Sequence, residues 1–271
     1  MSEKIKKENR VFLLGFLLIL IVATITFMRP VFKFNKGKTE APPQTQEVYE
    51  YAYITSEELG EKIIKKEKLK IIDIRDAVSY EKEHIEDSVN ITPEKIKDEV
   101  IKLNKEELIV IVGYDFEDKN AEAGAVKFFK DSGFKNVLAL SGGIYAWKTK
   151  SNNTVGIGDP ESVLDRAKIE NILPEQLKLA IDNGYPVTII DTRSENLFSQ
   201  GHIPKAMNIP LKDLESKKED IPLMEEIIVY GDSELLDFQS GVKLYDLGFL
   251  ATYTIEGGLR AWQEKGFPIE K

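Results

Sequence analysis

The chain has 271 residues, enough for two domains of ordinary size, and 42% of them are hydrophobic, as in globular proteins. Its formal net charge is −9; the first 40 residues carry eight basic and three acidic side chains, so residues 41–271 carry −14. This acidic body repels phosphate backbones, which argues against nucleic-acid binding. The chain contains no cysteine, which excludes any chemistry that needs a protein thiol.

A long apolar segment lies near the N-terminus. Residues 11–28 are 18 residues without a charge, between Arg10 and Arg29. As a helix, this segment would span roughly 27 Å, close to the hydrocarbon core of a bilayer. We expect residues 1–30 to form an uncleaved, single-pass transmembrane anchor that contacts membrane lipid through residues 11–28. A cleaved signal peptide is the alternative, but no small-residue cleavage site follows the segment, which is also long for a signal.

The side of the membrane is less clearly encoded. Positive charges nearly balance on the two sides of the apolar segment, and long C-terminal domains cross a membrane largely regardless of charge. The absence of cysteine suits an oxidising exterior, although a cytosolic protein can also lack cysteine by chance. We therefore expect a membrane-anchored protein whose folded domains are extracytoplasmic.

The next elements follow in chain order after a tether predicted at residues 31–52, which contains Pro42 and Pro43. Thr55 and Glu58 form a capping-box pattern that predicts a helix ending near Lys66. Short apolar runs then alternate with helical stretches, which predicts an α/β fold with a parallel sheet flanked by helices. The predicted strands are 69–74, 108–112, 137–140, 187–191, 226–230 and 251–255, and the clearest helices are 120–132 and 235–246.

The chain contains an internal duplication. Residues 188–210 repeat residues 70–92 at an offset of 118, and a Gly-Gly motif near the end of each copy repeats at an offset of 115. The first copy therefore carries three extra residues, which fall after the strand at 108–112. The pattern predicts two tandem domains, at 53–150 and 171–271, joined by an irregular linker at 151–170. The paired positions include Asp73 with Asp191, Arg75 with Arg193, and His84 with His202.

Each copy resembles a rhodanese (sulfurtransferase) domain in the order and spacing of its Asp-x-Arg, His-Ile and Gly-Gly motifs. In that family a cysteine at the end of the fourth strand carries the transferred sulfur as a persulfide, in a loop of the form Cys-x-x-x-x-Arg. The matching positions here are Gly113 and Gly231. Glycine has no side chain to hold sulfur, so the resemblance implies the fold of two tandem rhodanese-like domains, with no catalytic residue in either.

The loops at the two glycines are acidic, with three carboxylates each, and Leu236 stands where the family places an arginine. A like-charge pair at 4 Å costs about 4 kcal/mol at an effective dielectric of about 20, which disfavours thiosulfate or phosphate. Calcium would suit such oxygens, but no calcium-loop spacing is present, so we expect no metal and no cofactor. These vestigial active-site loops comprise Tyr114, Asp115, Phe116, Glu117 and Asp118 in the first copy, and Asp232, Ser233, Glu234, Leu235, Leu236 and Asp237 in the second.

The remaining motif residues are expected to serve the fold. His84 and His202 are the only histidines, and no Ser or Thr is paired with either at a spacing typical of a nucleophile and its base. Each Asp-x-Arg motif is expected to form a structural charge pair at a strand end. These structural motif residues are Asp73, Arg75, His84, Asp191, Arg193 and His202, with Trp147 and Trp262 as packing residues.

These features together predict a membrane-anchored, catalytically inactive tandem rhodanese-like protein that acts as a binding or scaffold module for an unidentified protein partner. A simple spacer between the membrane and another component is a related alternative. Two enzyme alternatives also stay open: a thiosulfate or persulfide sulfurtransferase, as the family resemblance implies, and a hydrolase that uses a cation held by the acidic loops.

Overall fold

A computed structural model of the chain describes residues 51–115, 119–150 and 152–271. Two five-stranded parallel sheets account for the strands within these ranges, one sheet from each repeat. No helix in the described ranges is long and apolar enough to cross a membrane. The anchor predicted at residues 11–28, and the predicted tether up to residue 50, lie outside the described residues.

The sheet of the first repeat has the order β1-β5-β4-β2-β3, and all neighbouring strands are parallel. Its centre, β4, reads Leu-Ile-Val-Ile-Val and is buried on both faces, as expected when helices cover a parallel sheet on both sides. The strands are β1 Tyr53–Ile54, β2 Leu69–Asp73, β3 Val89–Asn90, β4 Leu108–Val112 and β5 Val137–Leu140. The helices are α1 Ser56–Ile64, α2 Ala77–Lys82, α3 Ile96–Glu99, α4 Lys119–Asp131 and α5 Gly143–Thr149, with a 3-10 turn at Val100–Lys102.

The second repeat has the same topology, with the strand order β6-β10-β9-β7-β8. Identical order and direction in the two sheets confirm the two tandem α/β domains predicted from the duplication. The strands are β6 Glu170–Ile172, β7 Val187–Asp191, β8 Met207–Asn208, β9 Glu226–Tyr230 and β10 Thr252–Ile255. The helices are α7 Pro174–Asn183, α8 Glu195–Gln200, α9 Glu234–Asp246 and α10 Gly258–Glu264, with 3-10 turns at Leu211–Asp213 and Lys218–Asp220.

The core of each repeat consists of two apolar clusters, one on each face of the sheet, and helices cover both. In the first repeat, successive residues of β2 point to opposite faces. Ile71 therefore packs with Trp147 of α5, whereas Ile72 packs with Phe129 of α4. The second repeat has the same two clusters, and Trp262 is fully buried in one of them.

The capping box predicted at the first helix is present. The Glu58 N–H donates to Thr55 Oγ1 over 3.2 Å, and the Thr55 N–H donates to Glu58 Oε2 over 2.9 Å. The helix ends at Ile64, two residues before the predicted end. Lys66 lies outside it with a φ of 52°, a left-handed conformation that does not continue an α-helix.

The segment predicted as an irregular linker, residues 151–170, contains regular structure. Val155 is buried and exchanges two backbone hydrogen bonds of 2.9 Å with His84, so this part of the segment closes the first repeat. His202 pairs in the same way with Glu270 at the end of the second repeat. Further along, a short helix, α6 (Val163–Arg166), is capped by the Ser162 side chain, and β6 already begins at Glu170. The pairings of His84 with Val155 and of His202 with Glu270 use backbone atoms alone, so no side-chain pattern in the sequence indicates them.

Candidate binding clefts at the strand ends

A cleft opens at the carboxyl end of the sheet in each repeat, beside the residues that follow β4 in the first repeat and β9 in the second. This is the usual ligand position in open parallel α/β sheets. The cleft of the first repeat has a volume of about 260 Å³ and includes Arg75, Tyr114 and Lys148 in its walls. The cleft of the second repeat is larger, about 390 Å³, and includes Gly231 and Asp237.

The arginine of each Asp-x-Arg motif is committed to holding the fold. Arg75 donates from Nη2 to Asp73 Oδ2 over 2.7 Å and to the Glu83 carbonyl over 2.6 Å. Arg193 makes the equivalent bonds to Asp191 Oδ2, at 2.5 Å, and to the Gly201 carbonyl, at 2.7 Å. All four charged side chains of the two motifs are buried. A buried, bidentate pair of this kind has few remaining donors for an anionic ligand in the cleft.

The space that a cysteine would need is occupied in both repeats. A Cβ atom at Gly231 would lie 2.6 Å from Leu236 Cγ, and one at Gly113 would lie 2.5 Å from Glu122 Oε1. Neither glycine has a positive φ, so the backbone itself would accept an ordinary residue. The obstacle is the side chain packed against each glycine, and it is a different side chain in each repeat.

An internal carboxylate lies in the second cleft, against the backbone of Gly231. The Gly231 N–H donates a short hydrogen bond to Asp237 Oδ1, and Asp237 is only 5% exposed. Burial raises the pKa of Asp237 to about 6; the Gly231 N–H opposes this shift, and the negative charges of Asp232 and Glu234 add to it. The chain thus supplies its own acceptor to the backbone N–H of Gly231.

The corresponding residue of the first repeat is Glu122, which matches Asp237 at the offset of 115. Glu122 is buried, and its side chain packs against Gly113. Asp237 was predicted from the sequence as one of the loop carboxylates, whereas Glu122 was not singled out. The shared offset was the signal that could have paired the two acids.

Of the predicted first loop, the structure describes Tyr114 and Asp115; Phe116, Glu117 and Asp118 lie outside the described residues. The Tyr114 hydroxyl donates to Asp76 Oδ2, in a short hydrogen bond, and lies 3.2 Å from Ser79 Oγ. Asp76 accepts hydrogen bonds from Tyr114 and from Ser79, and these bonds hold its pKa well below the usual range. The bond from Tyr114 has the largest effect. Tyr114 therefore forms an ordered wall of the first cleft.

The second loop leads directly into α9. Ser233 caps this helix, because its Oγ accepts a hydrogen bond from the Leu236 N–H over 3.2 Å. Asp232 and Glu234 are exposed in the wall of the cleft, and Leu235 is also exposed, whereas Leu236 packs against Gly231. In the part of the chain that the structure describes, no three histidine, aspartate or glutamate side chains converge closely enough to hold a metal ion.

The two histidines lie away from the cleft walls and contact the segment before them. His84 Nδ1 is 2.7 Å from the Tyr80 carbonyl, and His202 Nδ1 is 3.0 Å from the Phe198 carbonyl. Each imidazole also stacks on the aromatic ring of that partner. Of the two rings, His84 reaches across to the other repeat, where Nε2 lies 2.9 Å from Glu215 Oε2. Glu215 belongs to none of the repeated motifs, so sequence reasoning missed it.

Each repeat is therefore an α/β domain with one parallel sheet, helices on both faces and a ligand cleft at the strand ends. Comparison with known families gives the particular class: the Rhodanese-like domain matches residues 55–150 and 173–265, and the chain belongs to this family. The resemblance inferred from the sequence is confirmed, and the chain contains no cysteine.

Two sulfurtransferases match the chain over about the length of one repeat. A sulfurtransferase from Allochromatium vinosum is 26% identical over 101 residues, which cover 37% of this chain and 94% of the relative. The thiosulfate sulfurtransferase GlpE of Coxiella burnetii is 32% identical over 86 residues, 32% of this chain and 78% of the relative. The match to a solved thiosulfate sulfurtransferase from Pseudomonas aeruginosa covers 81% of this chain but only 43% of that protein, at 16% identity and a TM-score of 0.42.

Proposed function

We propose that this chain is a catalytically inactive member of the rhodanese-like family that works by binding, as a membrane-anchored scaffold. The observation that carries the proposal is the packing at the two glycines. The chain has no thiol, and Leu236 and Glu122 fill the volume in which one would sit. Persulfide transfer requires a polarisable thiolate, so the reaction named for the relatives has no nucleophile here.

The cleft of the second repeat is the better candidate for a binding surface. It has the larger volume, about 390 Å³, and its floor is held rigidly by the buried Asp191–Arg193 pair. Leu197, which is half-buried in its wall, offers an apolar contact beside the acidic side chains. A partner protein that docks there would meet a preformed surface, which lowers the entropic cost of binding.

Membrane attachment completes the proposal. The apolar segment at residues 11–28 has the length of a transmembrane helix, and the two repeats follow it after a short tether. On this proposal the anchor confines the clefts to one membrane surface, outside the cytoplasm, where a partner is held at high local concentration.

The absence of turnover is tested with the full-length chain in detergent. Thiosulfate and cyanide should give no thiocyanate above buffer, and mass spectrometry should find no protein-bound sulfur after incubation with thiosulfate. A GlpE-type sulfurtransferase assayed in parallel verifies the reagents. Turnover that persists after repurification and scales with protein concentration would favour the sulfurtransferase alternative and contradict the proposal.

The binding role is tested by photo-crosslinking in intact membranes. A photoreactive residue replaces Arg260, an exposed residue in the wall of the second cleft, or Leu250, which is 68% exposed and precedes β10 at the opposite end of the sheet. We expect a defined crosslinked product from position 260 and none from the control position. Equal crosslinking at both positions, or none at either, would show that this cleft is not the binding surface.

A further inference from the structure

A buried acid–base cluster joins the two repeats. Glu215, from the second repeat, places Oε2 2.9 Å from His84 Nε2 and 3.4 Å from Lys243 Nζ. Its other oxygen, Oε1, accepts a hydrogen bond of 2.8 Å from the Asp87 N–H. His84 is 2% exposed and Lys243 is 8% exposed, so water competes little for these contacts. Glu215 thus bonds simultaneously to a side chain and to the backbone of the first repeat.

The His84 ring is positioned between two acceptors. A carbonyl oxygen can only accept a hydrogen bond, and so can an ionised carboxylate. Nδ1 faces the Tyr80 carbonyl at 2.7 Å, and Nε2 faces the Glu215 carboxylate at 2.9 Å. A neutral imidazole carries one N–H and can serve only one of them, whereas the imidazolium serves both. The geometry therefore fits the doubly protonated ring.

The charged groups around the ring support this assignment. On the side of the first repeat, the Tyr80 hydroxyl donates to the Ser88 carbonyl, and the guanidinium of Arg75 is paired with Asp73. On the side of the second repeat, Glu215 faces the ring, and Lys243 approaches the same carboxylate. Burial would raise the pKa of Glu215, but the bond from His84, its charge, the Asp87 N–H and Lys243 together lower it to about 2. The carboxylate is therefore ionised while the ring carries its charge.

A second ionic contact lies beside this cluster, further from the ring. Lys218 of the second repeat reaches Glu86 at 2.6 Å and Asp87 at 2.9 Å in the first. The Glu86 side chain is 44% exposed and that of Asp87 is 71% exposed, so solvent screens the contact and it contributes little. The buried bond between His84 and Glu215 is therefore the main polar link between the repeats at this point.

We propose that His84 is a pH-operated latch: its doubly protonated ring holds the two repeats in the observed arrangement, and loss of one ring proton releases them. After that loss, either the Tyr80 carbonyl or the Glu215 carboxylate faces a nitrogen lone pair in a buried setting, which is unfavourable. The segments next to the latch, including Asp87 and Lys218, line a cavity of about 790 Å³ between the repeats. Release of the latch changes the shape of this cavity.

The protonation state is measured by nitrogen NMR on the full-length chain labelled with ¹⁵N-histidine. The chain has two histidines, so two rings give all the signals. His202 gives the reference signals, because its Nε2 lies 3.9 Å from Glu270, which is 57% exposed at the side chain. We expect both ring nitrogens of His84 to be protonated while the two repeats are held in the observed arrangement. A singly protonated His84 ring in that arrangement would overturn the proposal.

Release is measured by spin-label distances between the repeats. Because the chain has no cysteine, Lys130→Cys and Ser199→Cys place one label on an exposed position of each repeat. The distance distribution should be narrow while His84 is doubly protonated and should broaden as NMR reports loss of its proton. Glu215→Gln should abolish that pH dependence, and His202→Gln should leave it intact. An unchanged distribution across the His84 titration, or a pH dependence that survives in Glu215→Gln, would refute the latch.

Discussion

The buried carboxylate of Asp237 gives the sharpest quantitative test of the second cleft. Its pKa is raised from 3.8 to about 6, so the folded state binds the proton more tightly than the unfolded state does. At about 1.4 kcal/mol per pH unit, ionised Asp237 destabilises the folded state by about 3 kcal/mol above pH 6. This penalty decreases as the pH falls through 6 and has vanished below 3.8.

Asp237→Asn removes the charge and keeps an oxygen that can accept the Gly231 N–H. We therefore expect the variant to be more stable than the native chain by up to about 3 kcal/mol at pH 8, and by little at pH 4. Urea unfolding at both pH values measures this, with the fluorescence of Trp262 in a Trp147→Phe background reporting the second repeat alone. Asp232→Asn is the matched control; this residue is exposed, so its effect should stay below about 1 kcal/mol.

Two outcomes would contradict the behaviour assigned to Asp237. If Asp237→Asn gives the same stability difference at pH 4 and pH 8, the carboxylate does not titrate as described. If the variant is less stable than the native chain at pH 8, the ionised form contributes more through its bond to Gly231 than burial costs. The second result would mean that the cleft is built to hold a negative charge rather than having lost that capacity.

Three further predictions concern packing and charge. Gly231→Cys should destabilise the second repeat by about 1–3 kcal/mol in urea unfolding because the new Cβ meets Leu236. Adding Leu236→Ala should recover part of this loss. The control is Gly124→Cys, whose Cβ meets nothing within 4 Å and which should therefore cost little. Trp262→Ala should cost about 3–5 kcal/mol, since this side chain is fully buried; a loss below about 1 kcal/mol would contradict the assigned packing. The depressed pKa of Glu215 contributes stability that is complete above pH 4.5 and is lost as the pH falls towards 2, so acid unfolding of Glu215→Gln should depend less steeply on pH over this interval.

The central strands were predictable because their sequences leave no alternative. Strands such as β4 and β9 are continuous apolar runs between helical stretches, and burial on both faces of a parallel sheet requires such runs. The strands β1, β3, β6 and β8 have only two or three residues each. At that length there is no periodicity to detect, and their pairing depends on the neighbouring strand already being in place.

The contents of the clefts were only half predictable. Two glycines at the cysteine positions can be identified from the duplication, but a sequence does not say what fills the vacated volume. Leu236 was predicted only as the replacement of the family's arginine, whereas in the structure it packs against Gly231. The contact between His84 and Glu215 spans 131 residues and joins two domains, so no local pattern encodes it.

The different fillings of the two clefts carry a consequence for any attempt to restore sulfur chemistry. Leu236 packs against Gly231 in one copy, whereas in the other Glu122, which aligns with Asp237, packs against Gly113. A cysteine would therefore meet an apolar side chain in the second repeat and a carboxylate in the first. Regaining the thiol in both halves would need a different compensating substitution in each.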